Sequence, residues 1–135
     1  MTPQEKIEIR SERGQTMAEF AIALPVLAVL LFGVIQFGIV FNNYVTLTDA
    51  ARAGARKAAV SRHTDPAFEG CKTAQSSAGD LDLSDPGTCS VSVSGRLDRP
   101  GADVTVRVTY PYTIDLVGID FVSGELESET TERME

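Results

Sequence analysis

The feature that most constrains this chain is an uncharged apolar segment near its N-terminus. Residues 20–48 contain no Asp, Glu, Lys or Arg, and 18 of the 22 residues from Phe20 to Phe41 are strongly apolar. A helix of about 20 such residues spans the hydrocarbon core of a bilayer. Because the segment is apolar on every side, we expect it to lie in lipid or among other apolar helices. The sequence therefore predicts one transmembrane segment at residues 20–41.

The helical pattern is expected to continue beyond this segment. Small residues recur at near-helical spacing from Leu47 to Ala59, which predicts one long helix from about Thr16 to about Arg62 with a face of small side chains. Pro25 lies inside it, and proline removes a backbone donor, so a helix kink is expected there. Basic residues flank the apolar segment on both sides, so charge counting leaves its orientation in the membrane open.

The remainder of the chain, residues 63–135, is acidic and reads as a small β module. It holds 14 acidic and 5 basic residues, and the whole chain has a net charge of −7, which argues against a nucleic-acid partner. Alternating runs at 90–97 and 103–110 predict a hairpin with a turn at 99–102. Pro111 suggests that the second strand reaches an edge of the sheet. Residues 114–122 form an apolar excursion, and 124–134 a third, weakly apolar strand.

A sheet this small needs a partner, and the small-residue face of the long helix is the expected one. The fold class is therefore α+β: a long N-terminal transmembrane helix followed by a small antiparallel sheet. Cys71 and Cys89 enclose 17 residues and are expected to form a disulfide worth about 3 kcal/mol if the module lies outside the cytoplasm. The alternative is two unpaired thiols, because spacing alone does not fix geometry.

Catalytic and metal-binding patterns give little support for an enzyme. His63 is the only imidazole, and neither a Ser/His/Asp set nor a glycine-rich phosphate loop stands out. Two cysteines with His63 make a poor zinc site. The acidic stretch at 80–85 lacks the Gly and the distal Glu of a calcium loop, so a solvated loop is the preferred interpretation. We expect no enzyme activity, metal, cofactor or small-molecule substrate.

The most informative residues precede the apolar segment, in the stretch Arg13-Gly14-Gln15-Thr16-Met17-Ala18-Glu19-Phe20. A charged leader that ends in Gly, with Glu five residues later at the start of an apolar helix, resembles the site that prepilin peptidases cut. The resemblance implies cleavage between Gly14 and Gln15, removal of the leader 1–14, and a recognition and assembly role for Glu19 and Phe20. An alternative is a capping box, with Thr16 as the N-cap residue and Glu19 at N3.

A wider resemblance covers about a third of the chain. Glu19-Phe20-Ala21, the Leu24-Pro25 step, Phe32-Gly33, Phe37-Gly38 and the stretch AARAGAR at 50–56 resemble the TadE-like family, the pseudopilins of tight-adherence (Tad) pili. One departure is Gln36, where the family often has Glu.

The resemblance implies a pilin-like fold with three parts: a leader at 1–14, a long helix at 15–62 and an extracytoplasmic acidic β module at 63–135. It further implies a minor pilin or pseudopilin of a Tad-type adhesive pilus, with a prepilin peptidase and other Tad pilins as partners. The expected location is the inner membrane, crossed once with the N-terminus in the cytoplasm, and the cell surface if the subunit enters the pilus. The alternative function is an uncleaved single-pass membrane anchor that presents a small binding module.

Overall fold

The computed structural model describes residues 3–61, 63–85, 87–95, 101–116 and 118–134, with side chains from residue 14 onward except at 116 and 119. Its elements are two helices and three strands: α1 (Pro3–Val60), α2 (Pro66–Ser77), β1 (Cys89–Ser94), β2 (Asp103–Leu116) and β3 (Ile119–Arg133). A long helix followed by a small antiparallel sheet confirms the predicted α+β fold class. The internal contacts divide the chain into two units, Met1–Phe37 and Gly38–Glu135.

Helix α1 begins at Pro3 instead of near Thr16. Proline is well suited to the first helical turn, and between Pro3 and Gly14 the leader has no residue that breaks a helix. The helical assignment continues through Pro25, so the kink at this residue stays a prediction. The helix ends at Val60, where the amide of Ser61 donates to the carbonyl of Ala58 at 3.1 Å.

Helix α2 was not expected in a module that the sequence analysis described as β structure. Asp65 is its N-cap residue: the carboxylate accepts from the amides of Ala67 at 3.0 Å and Phe68 at 3.2 Å. Pro66 occupies the first turn, where its missing donor costs nothing. The dipeptide Asp65-Pro66 is thus a helix start signal that the sequence analysis overlooked.

The three strands form one antiparallel sheet in the order β1-β2-β3. The predicted hairpin is confirmed, with Val91 opposite Val106 and Val93 opposite Val104. The third strand begins at Ile119 instead of near Gly124, so the apolar excursion at 114–122 forms the far end of the β2–β3 hairpin. The predicted turn residues Arg99 and Pro100 lie outside the described residues.

Pro111 lies where the sheet narrows from three strands to two. The pairing of β1 with β2 ends at Val108, and the amide of Thr109 then donates to the carbonyl of Thr88 at 2.8 Å. Residues two apart face the same neighbouring strand, so the backbone of Pro111, like that of Thr109, faces β1. Pro111 lies beyond the end of the pairing with β1, so the sheet needs no hydrogen bond from its nitrogen. This agrees with the expectation that the second strand reaches an edge.

The core of the second unit lies between the outer half of α1 and the sheet. The residues that α1 contributes to this core are mostly alanines, and they pack with three valines of β2. The fully buried residues from these two elements are Leu47, Ala50, Ala51, Ala55, Ala58, Val104, Val106 and Val108. At Gly54 an added Cβ would lie 2.8 Å from the carbonyl oxygen of Gly70 and 3.0 Å from the Cβ of Ala74. The small-residue face of the helix is thus the partner of the sheet, as predicted.

Candidate functional site

The candidate site is the junction between the leader and the apolar segment, residues 14–20. All of these residues are helical and exposed. A Cβ added at Gly14 would have no atom within 4 Å, so the backbone there is accessible from the side. Thr16 lies well inside α1 and is not an N-cap residue, so the capping-box interpretation is wrong for this chain: the helix already begins at Pro3.

The structure brings together two of the predicted site residues. The side-chain amide of Gln15 donates from Nε2 to Oε1 of Glu19 at 3.1 Å, one helical turn further along α1. The sequence analysis placed both residues in the site, but it did not predict this contact. A Gln–Glu pair at this spacing is worth only a few tenths of a kcal/mol, about 0.2–0.5, on a water-exposed helix. The same bond matters more at the edge of hydrocarbon, where a carboxylate has few other partners.

The apolar segment begins directly after Glu19. Its large side chains are exposed, including Phe20 at 59% and Leu27 at 59%. The part of α1 whose side chains are described, Gly14–Val60, contains an 18-residue window with a mean hydropathy of 2.5. None of that window is buried within the chain. By length and composition this helix could cross a membrane, as the sequence predicted.

The two cysteines are joined, which confirms the predicted disulfide. Cys71 of α2 and Cys89 at the start of β1 have an S–S distance of 2.05 Å and a Cα–Cα distance of 5.7 Å. An open groove lies beside the disulfide, between α2 and the loop at 83–87. Phe68 lines this groove and is 60% exposed, with the ammonium of Lys72 5.7 Å from its ring centroid.

The acidic loop at 80–85 has a local structural role. Oδ1 of Asp82 accepts from the amide of Ser84 at 3.0 Å and from its hydroxyl, and these two bonds lower the pKa of the Asp82 carboxyl. The part of the chain that the structure describes contains no group of three His, Cys, Asp or Glu residues placed to hold a metal ion. These hydrogen bonds account for the local conformation at Asp82.

An ionic cluster on the outer face of the sheet was missed by the sequence analysis. Arg107 of β2 lies opposite Glu129 of β3, with Nη2 2.7 Å from the Glu129 carboxylate and Nε 3.2 Å from that of Glu127. The hydrogen bond to Glu129 and the charges of both glutamates raise the pKa of the Arg107 guanidinium. The alternation of Glu125, Glu127 and Glu129 was the available signal, because residues two apart share one face of a strand.

Comparison with known families bears on the segment that contains the junction. The sequence model of the family described as TadE-like protein matches residues 14–56. Over these residues the chain is similar to TadE-like proteins. This match confirms the resemblance seen in the sequence, and it includes the Gln15–Glu19 pair, the apolar segment and most of the small-residue face. No curated protein and no solved structure matches the chain. A TadE-like segment points to a protein associated with Tad pili.

Proposed function

We propose that this protein is a minor pilin or pseudopilin that takes part in assembling a Tad-type adhesive pilus. The observation that carries the proposal is the arrangement of the junction inside the TadE-like segment. Gly14, Gln15, Glu19 and Phe20 follow one another along an exposed helix, directly before an apolar segment whose side chains are not buried within the chain. The subunit crosses the inner membrane once, with residues 1–14 in the cytoplasm and the disulfide-bonded module outside.

A prepilin peptidase cuts the bond between Gly14 and Gln15 in this proposal. Both residues are helical and exposed in the chain described here, so a peptidase must open the helix locally to reach that bond. After proline, glycine is the residue that destabilises the interior of a helix most, by about 1 kcal/mol relative to alanine. Gly14 is therefore a point at which α1 opens readily, and a Cβ-free residue leaves room for the peptidase.

Glu19 and Phe20 then act in assembly. A carboxylate at the edge of hydrocarbon needs a partner, and in the uncut chain the amide of Gln15 supplies one at 3.1 Å. Cleavage creates a second donor, the terminal amine of Gln15, which can meet Glu19 of a neighbouring subunit in a low-dielectric setting. Such a pair would set the axial stagger between subunits. Phe20 and the apolar segment, kinked at Pro25, supply the helix surface on which other Tad pilins pack.

The disulfide supports the proposed orientation. Disulfides persist in oxidising compartments and are rare in the cytoplasm. The bond between Cys71 and Cys89 therefore favours a module that lies outside the inner membrane. A single crossing by α1 would then leave the leader on the cytoplasmic side, where the peptidase is expected to act on it.

The second candidate is an uncleaved single-pass anchor that presents a small binding module. The observation that favours it is the open groove beside the disulfide, with the exposed ring of Phe68 at its edge. In that case Glu19 has no assembly role, and the bond from Gln15 serves only to satisfy a carboxylate on the helix surface.

The N-terminus of the protein separates the two functions. Intact mass and N-terminal analysis should be done on the full-length protein from cells with and without the prepilin peptidase. We expect a chain that starts at Gln15 only when the peptidase is present. Gly14→Val should leave the leader attached, whereas Gln15→Asn, next to the same bond, should still be cut. A chain that starts at Met1 or Thr2 in both strains would show that the protein is an uncleaved anchor.

A further inference from the structure

We infer that Gln15, once exposed as the N-terminal residue, is a modification site that closes to a pyroglutamyl lactam, with Glu19 as the proton relay. This inference rests on the proposed cleavage after Gly14. In the uncut chain the nitrogen of Gln15 is part of a peptide bond and cannot act as a nucleophile. Cleavage turns it into an amine that is tethered by three carbons to the carbonyl carbon Cδ of its own side-chain amide.

Because the amine and Cδ belong to the same residue, the reaction is intramolecular and closes a ring of favourable size. Attack of the amine on Cδ closes a five-membered ring, and well-oriented intramolecular reactions have effective molarities that reach about 10⁵–10⁸ M. The shorter side chain of asparagine would have to close a strained four-membered ring. Ring closure is therefore specific to Gln at this position, although both side chains end in the same amide.

The structure places a base at the leaving group. Oε1 of Glu19 lies 3.1 Å from Nε2 of Gln15, which is the nitrogen that departs when the ring closes. This distance is within the range in which a side chain transfers protons as a general acid or base. Both side chains are exposed on α1, so neither is held back by packing within the chain. Glu19 can accept the proton that the attacking amine loses and deliver it to the departing nitrogen.

The step balances without a cofactor or an oxidant. The bond between the terminal nitrogen and Cδ forms, the bond between Cδ and Nε2 breaks, and one molecule of ammonia leaves. The product has lost the positive charge of the terminal amine but keeps one lactam N–H. This N–H still donates to a carboxylate such as Glu19 of a neighbouring subunit. An uncharged end is also less costly to place at the boundary of the hydrocarbon core than an ammonium group.

The test is a time course of the N-terminus on the full-length protein, purified after processing and followed by intact mass, N-terminal sequencing and pyroglutamyl aminopeptidase. We expect a chain that starts at Gln15, is lighter by one ammonia, resists sequencing and becomes sequenceable after that enzyme. Gln15→Asn is the matched control and should keep a free, sequenceable end. Glu19→Gln keeps a hydrogen-bond acceptor but cannot relay a proton, and should close about 10²-fold more slowly.

The outcomes separate this inference from the proposed function. A processed chain that retains all of its nitrogen, with a free Gln15 amine throughout, would overturn cyclisation and leave the pilin proposal standing. A chain that still starts at Met1 would overturn both. If Glu19→Gln closes as fast as the native protein, the assignment of Glu19 as the relay is wrong.

Discussion

At Gly54, helix α1 approaches helix α2 so closely that an added side chain would force the backbone to shift. An added Cβ would lie 2.8 Å from the carbonyl oxygen of Gly70 and 3.4 Å from Cγ1 of Val106. The first distance is shorter than real Cβ contacts, and the atom it meets is backbone, which cannot rotate away. The absence of a side chain at this residue thus sets how closely α1 packs on α2.

Gly54→Ala therefore sets two effects against each other. Alanine improves helix propensity by about 1 kcal/mol, whereas overpacking of a close contact costs about 1–3 kcal/mol. Because the neighbour is backbone, we expect the cost of overpacking to exceed the gain in helix propensity, and the unfolding free energy to fall by about 1 kcal/mol, within a range of about 0–2. Urea unfolding of the full-length protein in detergent, followed by circular dichroism, measures the change.

Gly38→Ala is the matched control for this prediction. It lies in the same helix and the same unit, but a Cβ there would have no atom within 4 Å. Only the gain in propensity remains, so stability should stay equal or rise. If both substitutions changed the unfolding free energy equally, the close approach of α1 and α2 at Gly54 would not be what makes alanine unfavourable there.

At the scale of elements, the disulfide connects α2 to the sheet. Cys71 lies in α2 and Cys89 is the first residue of β1, so the bond closes a loop that contains the whole α2–β1 connection. Replacing both cysteines by serine frees that loop in the unfolded chain. We expect the unfolding free energy of the module to fall by about 3 kcal/mol. Urea unfolding of the native and double-serine proteins compares the two values.

Reduction of the native protein gives an independent check on the same bond. If loop closure is the source of the stability, the reduced native protein and the Cys71→Ser/Cys89→Ser variant should unfold at the same urea concentration. A reduced protein that is as stable as the oxidised one would contradict the prediction. A difference between the reduced protein and the variant would indicate that the serines have an effect of their own.

The elements with a clear repeat were predictable from the sequence. The apolar segment indicated a helix by its length and lack of charge, and the small residues that follow it did so by their helical spacing. The valines of β1 and β2 indicated a hairpin by their alternation. Helix α2 was missed because its signal is a cap, Asp65-Pro66, and not an apolar repeat. The start of β3 at Ile119 was missed because residues 114–122 are apolar without regular alternation, and only the backbone pairing of Ile119 with Leu116 and of Val122 with Ile114 shows where β2 ends and β3 begins.

The candidate site was predictable as a set of residues but not as a geometry. Gly14, Gln15 and Glu19 could be singled out because their spacing resembles a peptidase site. The hydrogen bond between Gln15 and Glu19 depends on the leader being helical through this junction. With the helix expected to begin at about residues 15–16, Gln15 stood at its very end, where the position of a side chain relative to the next turn is not fixed by the sequence.

At the scale of the whole molecule, the buried core and most of the apolar segment, residues 20–37, belong to different units. Every residue of the buried core cluster, from Leu47 to Met134, lies in the unit Gly38–Glu135. The apolar side chains from Phe20 to Phe37 contribute nothing to that cluster. The chain thus separates a part that needs lipid or other helices from a part that can bury its own apolar surface.

This separation predicts which fragments fold. A fragment of residues 38–135 retains the outer half of α1, α2, the sheet and both cysteines. Produced in an oxidising compartment, it should be soluble, form the Cys71–Cys89 bond and unfold in one cooperative transition. A fragment of residues 63–135 lacks the small-residue face of α1, which covers Val104, Val106 and Val108. It should aggregate or show no cooperative transition, because a small sheet with an uncovered apolar face is not stable alone.

The comparison of the two fragments tests whether α1, besides carrying the apolar segment, also completes the core of the module. Size-exclusion chromatography, free-thiol titration and thermal unfolding would be measured on both. A cooperative transition in residues 63–135 would show that the sheet and α2 form a core without α1, and the helix would then serve only as an anchor. Failure of residues 38–135 to fold would show that residues 1–37 are needed for the module. The predicted result, folding of the longer fragment alone, follows from a helix whose first part leaves its apolar side chains exposed and whose last part completes the core of its own chain.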